Sequence, residues 1–149
     1  MEFFKEIDVS EREAELMGRG LYAVARAEGG VHEREEMLIG EFLADLGSGA
    51  PTLAALARQP SPTPDEMKAG LGSPDAARLF LKTALLLAYV DGNYHLDESK
   101  VIAKYASGLG VGPTELNELE NGVREYLLSQ LVHVSNVDVA RKVAKKLGV

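Results

Sequence analysis

The hydrophobic positions of this chain recur every three to four residues, a spacing that predicts α-helices along most of its length. No stretch alternates apolar and polar residues strictly enough to indicate a β-strand. Capping residues, prolines and glycines mark where the helices begin and end. We therefore expect an all-α fold, a compact bundle of about seven helices.

The first half is predicted to form three helices. Ser10 and Glu13 have the spacing of a capping box, and the helix that they open should run to about Glu28. A second helix is predicted over about 33–46, and a short third one over about 51–58.

The middle of the chain, residues 59–74, carries four prolines and is predicted to be a linker. Four prolines forbid a continuous helix, so at most a single turn around 65–69 is expected. Beyond the linker, Ser73 should cap a new helix. The predicted helices of this second half cover about 74–90, 97–109, 113–128 and 137–147.

The most informative feature is an internal repeat at an offset of 63 residues, in which 27–35 aligns with 90–98. The register continues without a gap into the next helix, where five apolar positions match in type: Leu38, Ile39, Phe42, Leu43 and Leu46 with Val101, Ile102, Tyr105, Ala106 and Leu109. One copy buries too little apolar surface to stand alone. We therefore expect one domain, 1–149, in which repeat one (about 10–58) and repeat two (about 75–128) pack around a pseudo-twofold axis.

Small residues also align between the two copies. Gly40 matches Ala103, and Ala44 matches Ser107. Residues four apart lie on one face of a helix, so these pairs predict that a neighbouring helix approaches closely there.

Each repeat carries a loop with the pattern acid-Gly-x-apolar-x-x-x-Glu, over 28–35 and 91–98. The pattern is similar to the second half of a calcium-binding EF-hand loop. Its first and third ligand positions, however, fall on Val24 and Arg26 in one copy and on Leu87 and Tyr89 in the other. None of these carries a carboxylate, so a true EF-hand is excluded.

One interpretation of the loops is purely structural. Gly29 and Gly92 would each end a helix, because glycine enters the left-handed conformation freely. Glu35 and Glu98 would supply the reciprocal glutamate of a capping box, three residues after a histidine. Histidine is a poor N-cap, and capping alone does not explain it.

The other interpretation adds a cation site, for which the two acidic loops would have to lie close together. Oxygen ligands would come from Glu28, Glu35, Asp91 and Glu98, with Asp97 in reserve, and these suit magnesium or calcium. Adding His32 and His95 would shift the preference toward zinc or manganese. The same loops could also form an acidic face for a protein partner without any metal.

Composition narrows the function classes. The chain has 23 acidic and 16 basic residues, a net charge of -7, which argues against a general nucleic-acid binder. The absence of cysteine excludes disulfides and thiolate-ligated zinc, and it fits a reducing cytosol. The most apolar run, 79–90, falls far short of the ~20 residues that a transmembrane helix needs.

No sequence motif indicates catalysis. The chain lacks a nucleophile elbow, a phosphate-binding loop and a zinc-protease helix motif. His133 lies outside the repeat between two valines, and we assign it no role. A non-enzymatic protein is therefore expected.

The doubled loop motif, set between helices, resembles the tellurite-resistance TerB-like family over about residues 12–128. The segments that carry the resemblance are 25–35 and 88–98, against the family pattern Ala-x-x-Asp-Gly-x-apolar-x-x-x-Glu. Asp91 and Glu98 match it fully, whereas Glu28 replaces the usual aspartate. The resemblance implies a cytoplasmic bacterial protein linked to stress or tellurite resistance. It also implies that the protein is non-enzymatic, that its acidic positions bind divalent metal, and that it has protein partners.

Overall fold

The computed structural model describes residues 9–46, 51–89 and 96–131, and these are all-helical, as predicted. They form seven α-helices: α1 (Glu11–Ala25), α2 (Glu33–Leu46), α3 (Leu53–Ala57), α4 (Pro64–Gly70), α5 (Pro74–Tyr89), α6 (Leu96–Gly108) and α7 (Pro113–Leu131). A 3-10 helix, Arg26–Glu28, follows α1. The helix predicted over about 137–147 lies outside the described residues. The seven described helices include α4, which was not predicted as a helix.

Residues next to the helix ends account for most of the boundaries. The Ser10 hydroxyl accepts a hydrogen bond from the Glu13 amide at 3.1 Å, and the Glu13 carboxylate accepts one from the Ser10 amide, which confirms the predicted capping box. Thr52 caps α3, and Ser73 caps α5 by accepting from the third amide along. Gly110 ends α6 with φ +80°, a left-handed conformation that glycine adopts without strain.

The proline-rich segment 59–74 is not a bare linker, and that prediction is corrected. It contains α4, with a capping box at its start and Pro64 in its first turn, where proline costs no hydrogen bond. Met67 of α4 is completely buried. The Tyr105 hydroxyl donates to the Pro62 carbonyl at 2.7 Å, which attaches the segment to α6.

The central element is α5, in which eleven of the sixteen residues are buried. Helices α1, α2, α6 and α7 all pack against it. The Phe80 ring lies in the middle of this core and meets the Tyr105 ring edge-on, with centroids 5.6 Å apart. Within the described ranges, no helix combines the length and the apolar character that crossing a membrane requires.

The aligned core positions of the two repeats are buried in a similar pattern. Ile39 and Ile102 are fully enclosed, and so are Leu43 and Ala106 at the next aligned position. The repeats also interlock, because the 3-10 helix of repeat one packs on α6 while α2 packs on α5. The pseudo-twofold arrangement itself stays a prediction.

The aligned small residues do not provide the predicted helix contact. Ala44, Ala103 and Ser107 are exposed, whereas a β-carbon at Gly40 would lie 3.4 Å from Leu53 of α3. The close approaches lie elsewhere. They occur at Gly18 against α3, at Gly20 against Phe80 of α5 and at Gly108 against the start of α4.

Replacing Gly108 with alanine should lower the free energy of unfolding by about 1–3 kcal/mol. A β-carbon there would overlap Pro64, including backbone atoms only 3.2 Å away that cannot rotate aside. Gly30→Ala is the matched control, because nothing lies within 4 Å of a β-carbon at that exposed position. Urea denaturation measures both variants, and equal stability would contradict the close α4–α6 approach.

The burial of the Tyr105 hydroxyl leads us to predict a loss of stability at alkaline pH. Burial raises the pKa of its hydroxyl to about 12, above the value of about 10 for an unfolded chain. The folded state therefore holds this proton more tightly, and the free energy of unfolding should fall as pH rises from about 10 to about 12. Tyr105→Phe should flatten that dependence and cost about 1 kcal/mol at neutral pH, because the Pro62 carbonyl loses its donor. Urea unfolding at a series of pH values tests this, and an unchanged alkaline slope in the variant would contradict it.

Candidate functional site

The first acidic loop lies between the 3-10 helix and α2. Gly29 ends the 3-10 helix with φ +114°, and its amide donates to the Arg26 carbonyl at 2.9 Å. His32 precedes α2, and its backbone amide donates to Glu35 Oε1 at 3.0 Å. The helix end predicted at Gly29 and the capping role predicted for Glu35 are both confirmed.

The burial of Glu35 goes beyond what a cap requires. Its side chain is 1% exposed, and carboxylates are almost never enclosed to this degree unless they are paired. Oε1 accepts the cap hydrogen bond, but no donor among the described residues reaches Oε2, which is itself fully buried. A buried oxygen without a partner costs about 1–3 kcal/mol or more, a cost that a water molecule, a further donor or a cation would relieve.

Glu98 occupies the aligned place in repeat two, in the first turn of α6. It is also 1% exposed, although the two residues before it are open to solvent, Leu96 at 66% and Asp97 also exposed. Neighbouring residues on a helix point about 100° apart, which separates the faces of Asp97 and Glu98. The predicted ligand Asp97 therefore lies on the solvent side of the helix.

The structure does not show the predicted ligands converging within its described residues. Glu35 and Glu98 are enclosed on two helices that both pack against α5, and His32 is exposed at the start of α2. Asp91 and His95 lie outside the described residues, as does the side chain of Glu28. Within 9–46, 51–89 and 96–131, no three His, Cys, Asp or Glu side chains form a group that could hold a metal. The full ligand set therefore stays a prediction.

Two residues that precede the loops have a role that the sequence analysis missed. Arg26 donates from Nη2 to the Ala57 carbonyl of α3 at 2.9 Å, and its guanidinium lies 5.2 Å from the centroid of the Tyr22 ring. Tyr89, at the aligned position of repeat two, donates to Glu120 Oε1 of α7 at 3.0 Å. Each of them links the residues that precede a loop to the third helix of its own repeat. Arg26 and Tyr89 occupy an EF-hand ligand position but carry no carboxylate. This mismatch was the one feature of the sequence that indicated a different role for them.

The tyrosine under Arg26 has a perturbed acidity. Burial raises the pKa of Tyr22, and the negative charge of Glu36 on α2 raises it further, while Arg26 acts in the opposite direction. The phenol therefore stays neutral across the physiological range. The guanidinium over the Tyr22 ring links the 3-10 helix to α1 beside the first loop.

Comparisons with family models, with curated proteins and with solved structures find no match to this chain. The TerB-like resemblance therefore rests on the loop motif and its duplication alone.

Replacing Glu35 with alanine should remove the cap of α2 and lower the free energy of unfolding by about 1 kcal/mol or more. The His32 amide should exchange its proton faster, because Glu35 Oε1 is its acceptor. Glu33→Ala is the control, since Glu33 lies in the same first turn but is exposed. Hydrogen exchange by NMR reads the amide directly. Unchanged protection of His32 in Glu35→Ala would contradict the cap.

Proposed function

We propose that this protein is a non-catalytic binding module resembling the TerB-like stress and tellurite-resistance proteins. Its duplicated acidic loops bind a divalent cation and support the binding of a protein partner, in the bacterial cytoplasm that the resemblance implies. The observation that carries the proposal is the enclosed Oε2 of Glu35, which no donor in the described part of the chain satisfies.

The two oxygens of Glu35 have separate tasks in this proposal. Oε1 holds the amide of His32, and Oε2 is directed to a cation. A divalent cation can satisfy a carboxylate oxygen where no hydrogen-bond donor is available, and calcium and magnesium take oxygen ligands at about 2.0–2.6 Å. Glu98 is equally buried at the aligned position and is the corresponding ligand of loop two.

Further ligands would come from the acids that open the loops, Glu28 and Asp91. Two glutamates and these two acids make an oxygen-only set, which suits calcium or magnesium. Participation of His32 and His95 would favour zinc or manganese instead. Asp97 is the weakest member of the predicted set, because it lies on the solvent side of α6.

A titration with calcium, magnesium, manganese and zinc tests the proposal, with unfolding free energy and amide NMR shifts as readouts. The cation that binds should stabilise the fold by about 2.7 kcal/mol at a concentration 100 times its dissociation constant. Glu35→Gln and Glu98→Gln should each reduce or abolish this increment. Glu33→Gln is the matched control, with the same charge change on the same helical turn but an exposed side chain, and it should retain the full increment.

Two outcomes would overturn the cation site. In the first, no cation below millimolar concentration shifts the amides of residues 28–35 or 96–98. In the second, Glu33→Gln loses as much of the increment as Glu35→Gln, which would reduce the effect to general charge attraction.

The second candidate is a structural or protein-interaction domain in which the loop acids only cap helices. The hydrogen bond from the His32 amide to Glu35 Oε1 favours it, because that contact is sufficient to place a glutamate here. In this case Glu35→Gln would change stability by the same amount with and without added cation. We propose no catalytic activity, since no catalytic motif occurs in the sequence.

A further inference from the structure

A groove of about 310 Å³ lies where α4 ends, α5 begins and α6 turns into α7. Its apolar lining includes Leu71, Ala77 and Val111, whose side chains are at most 9% exposed. Pockets for small molecules begin at about 300 Å³. The groove, which is partly open to solvent, therefore has room for one small organic molecule, which the exposed edges of these three side chains can contact.

One cation that lines this groove has no ion-pair partner among the residues that the structure describes. Arg78 is committed, because its Nη2 lies 3.2 Å from Glu115 Oε1 and its Nη1 lies 3.5 Å from Asp75 Oδ1. Lys68 also lines the groove and is exposed, and no ion pair within the described residues involves it. Its ammonium is available to an anionic ligand.

A hydroxyl donor lines the same groove. Ser73 Oγ accepts the Ala76 amide at 3.1 Å, a role that leaves the hydroxyl proton for another acceptor. An anion near Ser73 would also face the first turn of α5, where the helix dipole favours negative charge. Lys68 and Ser73 together are complementary to a carboxylate.

We propose that the groove binds a small monocarboxylate with a hydrocarbon body. The carboxylate lies beside the Lys68 ammonium and the Ser73 hydroxyl, and the hydrocarbon packs on Leu71, Ala77 and Val111. The site is separate from the acidic loops. It lies at the first turn of α5, and the sixteen residues of that helix rise about 24 Å before the second loop begins.

Hexanoate is the test ligand. Acetate, which has the carboxylate without the chain, and hexanol, which has the chain without the carboxylate, are compared with it. Amide NMR shifts at 71–78 and 109–115 are the readout. Hexanoate should saturate at roughly 1 mM, as expected for a ligand of this size, and should bind more tightly than acetate or hexanol. Lys68→Met should weaken hexanoate binding about three- to fivefold, the effect of losing one exposed ion pair, and leave hexanol unaffected. Lys104→Met is the matched control, because Lys104 is exposed on α6 and does not line the groove.

Gly72→Val tests whether the ligand occupies the groove, without changing the charge of its lining. Gly72 lines the groove outside the left-handed region, and the nearest atom to an added β-carbon is 3.8 Å away, so the variant should fold normally. The valine should block hexanoate and hexanol alike. The proposal fails if hexanoate binds no better than acetate, if Lys68→Met binds it as the unaltered chain does, or if Gly72→Val leaves binding unchanged. All titrations are run without added divalent cation. The outcome for the groove therefore neither supports nor contradicts the cation site proposed for the acidic loops.

Discussion

The burial of α5 is the constraint on which the other helices depend. Most of its surface is apolar and enclosed, so it needs neighbours on nearly every side. Each large apolar side chain that leaves water contributes about 1.5–3 kcal/mol, and α5 supplies several such side chains from one helix. Four helices meet this need, and Gly20 allows α1 to pack directly against the Phe80 ring. The packing of α5 therefore sets the positions of the helices that carry both candidate sites.

The two candidate sites differ in chemistry. Helices α2 and α6, which both pack against α5, each enclose a glutamate in the first turn. A helix N-terminus favours negative charge, and the cap supplies a hydrogen bond, so a carboxylate is tolerated there better than in the middle of the core. At the start of α5, the groove is lined by Lys68 and by apolar side chains. The two proposals therefore call for ligands of opposite charge.

The proline-rich segment belongs to the core rather than to a connection between domains. Arg19 donates to the Pro60 carbonyl at 3.1 Å and lies 3.6 Å from Glu66, while Tyr105 holds Pro62 from the other side. Pro62 is buried, so its carbonyl must find a donor, whereas Pro60 is exposed; neither proline can donate in return. Side chains from α1 and α6 therefore provide the hydrogen bonds that a regular helix would have made internally.

The sequence alone determined the helical class, the bounds of α2, the capping box at Ser10 and the glycine that ends the 3-10 helix at the start of the first loop. These features depend on residues within about one helical turn of each other, so local patterns are sufficient to predict them. Only the tertiary structure decided that α4 joins the core, that Glu35 and Glu98 are enclosed while Asp97 is not, and that Arg26 fastens the first loop to α3. Each of these depends on groups that lie far apart in the chain and meet only when the helices pack around α5.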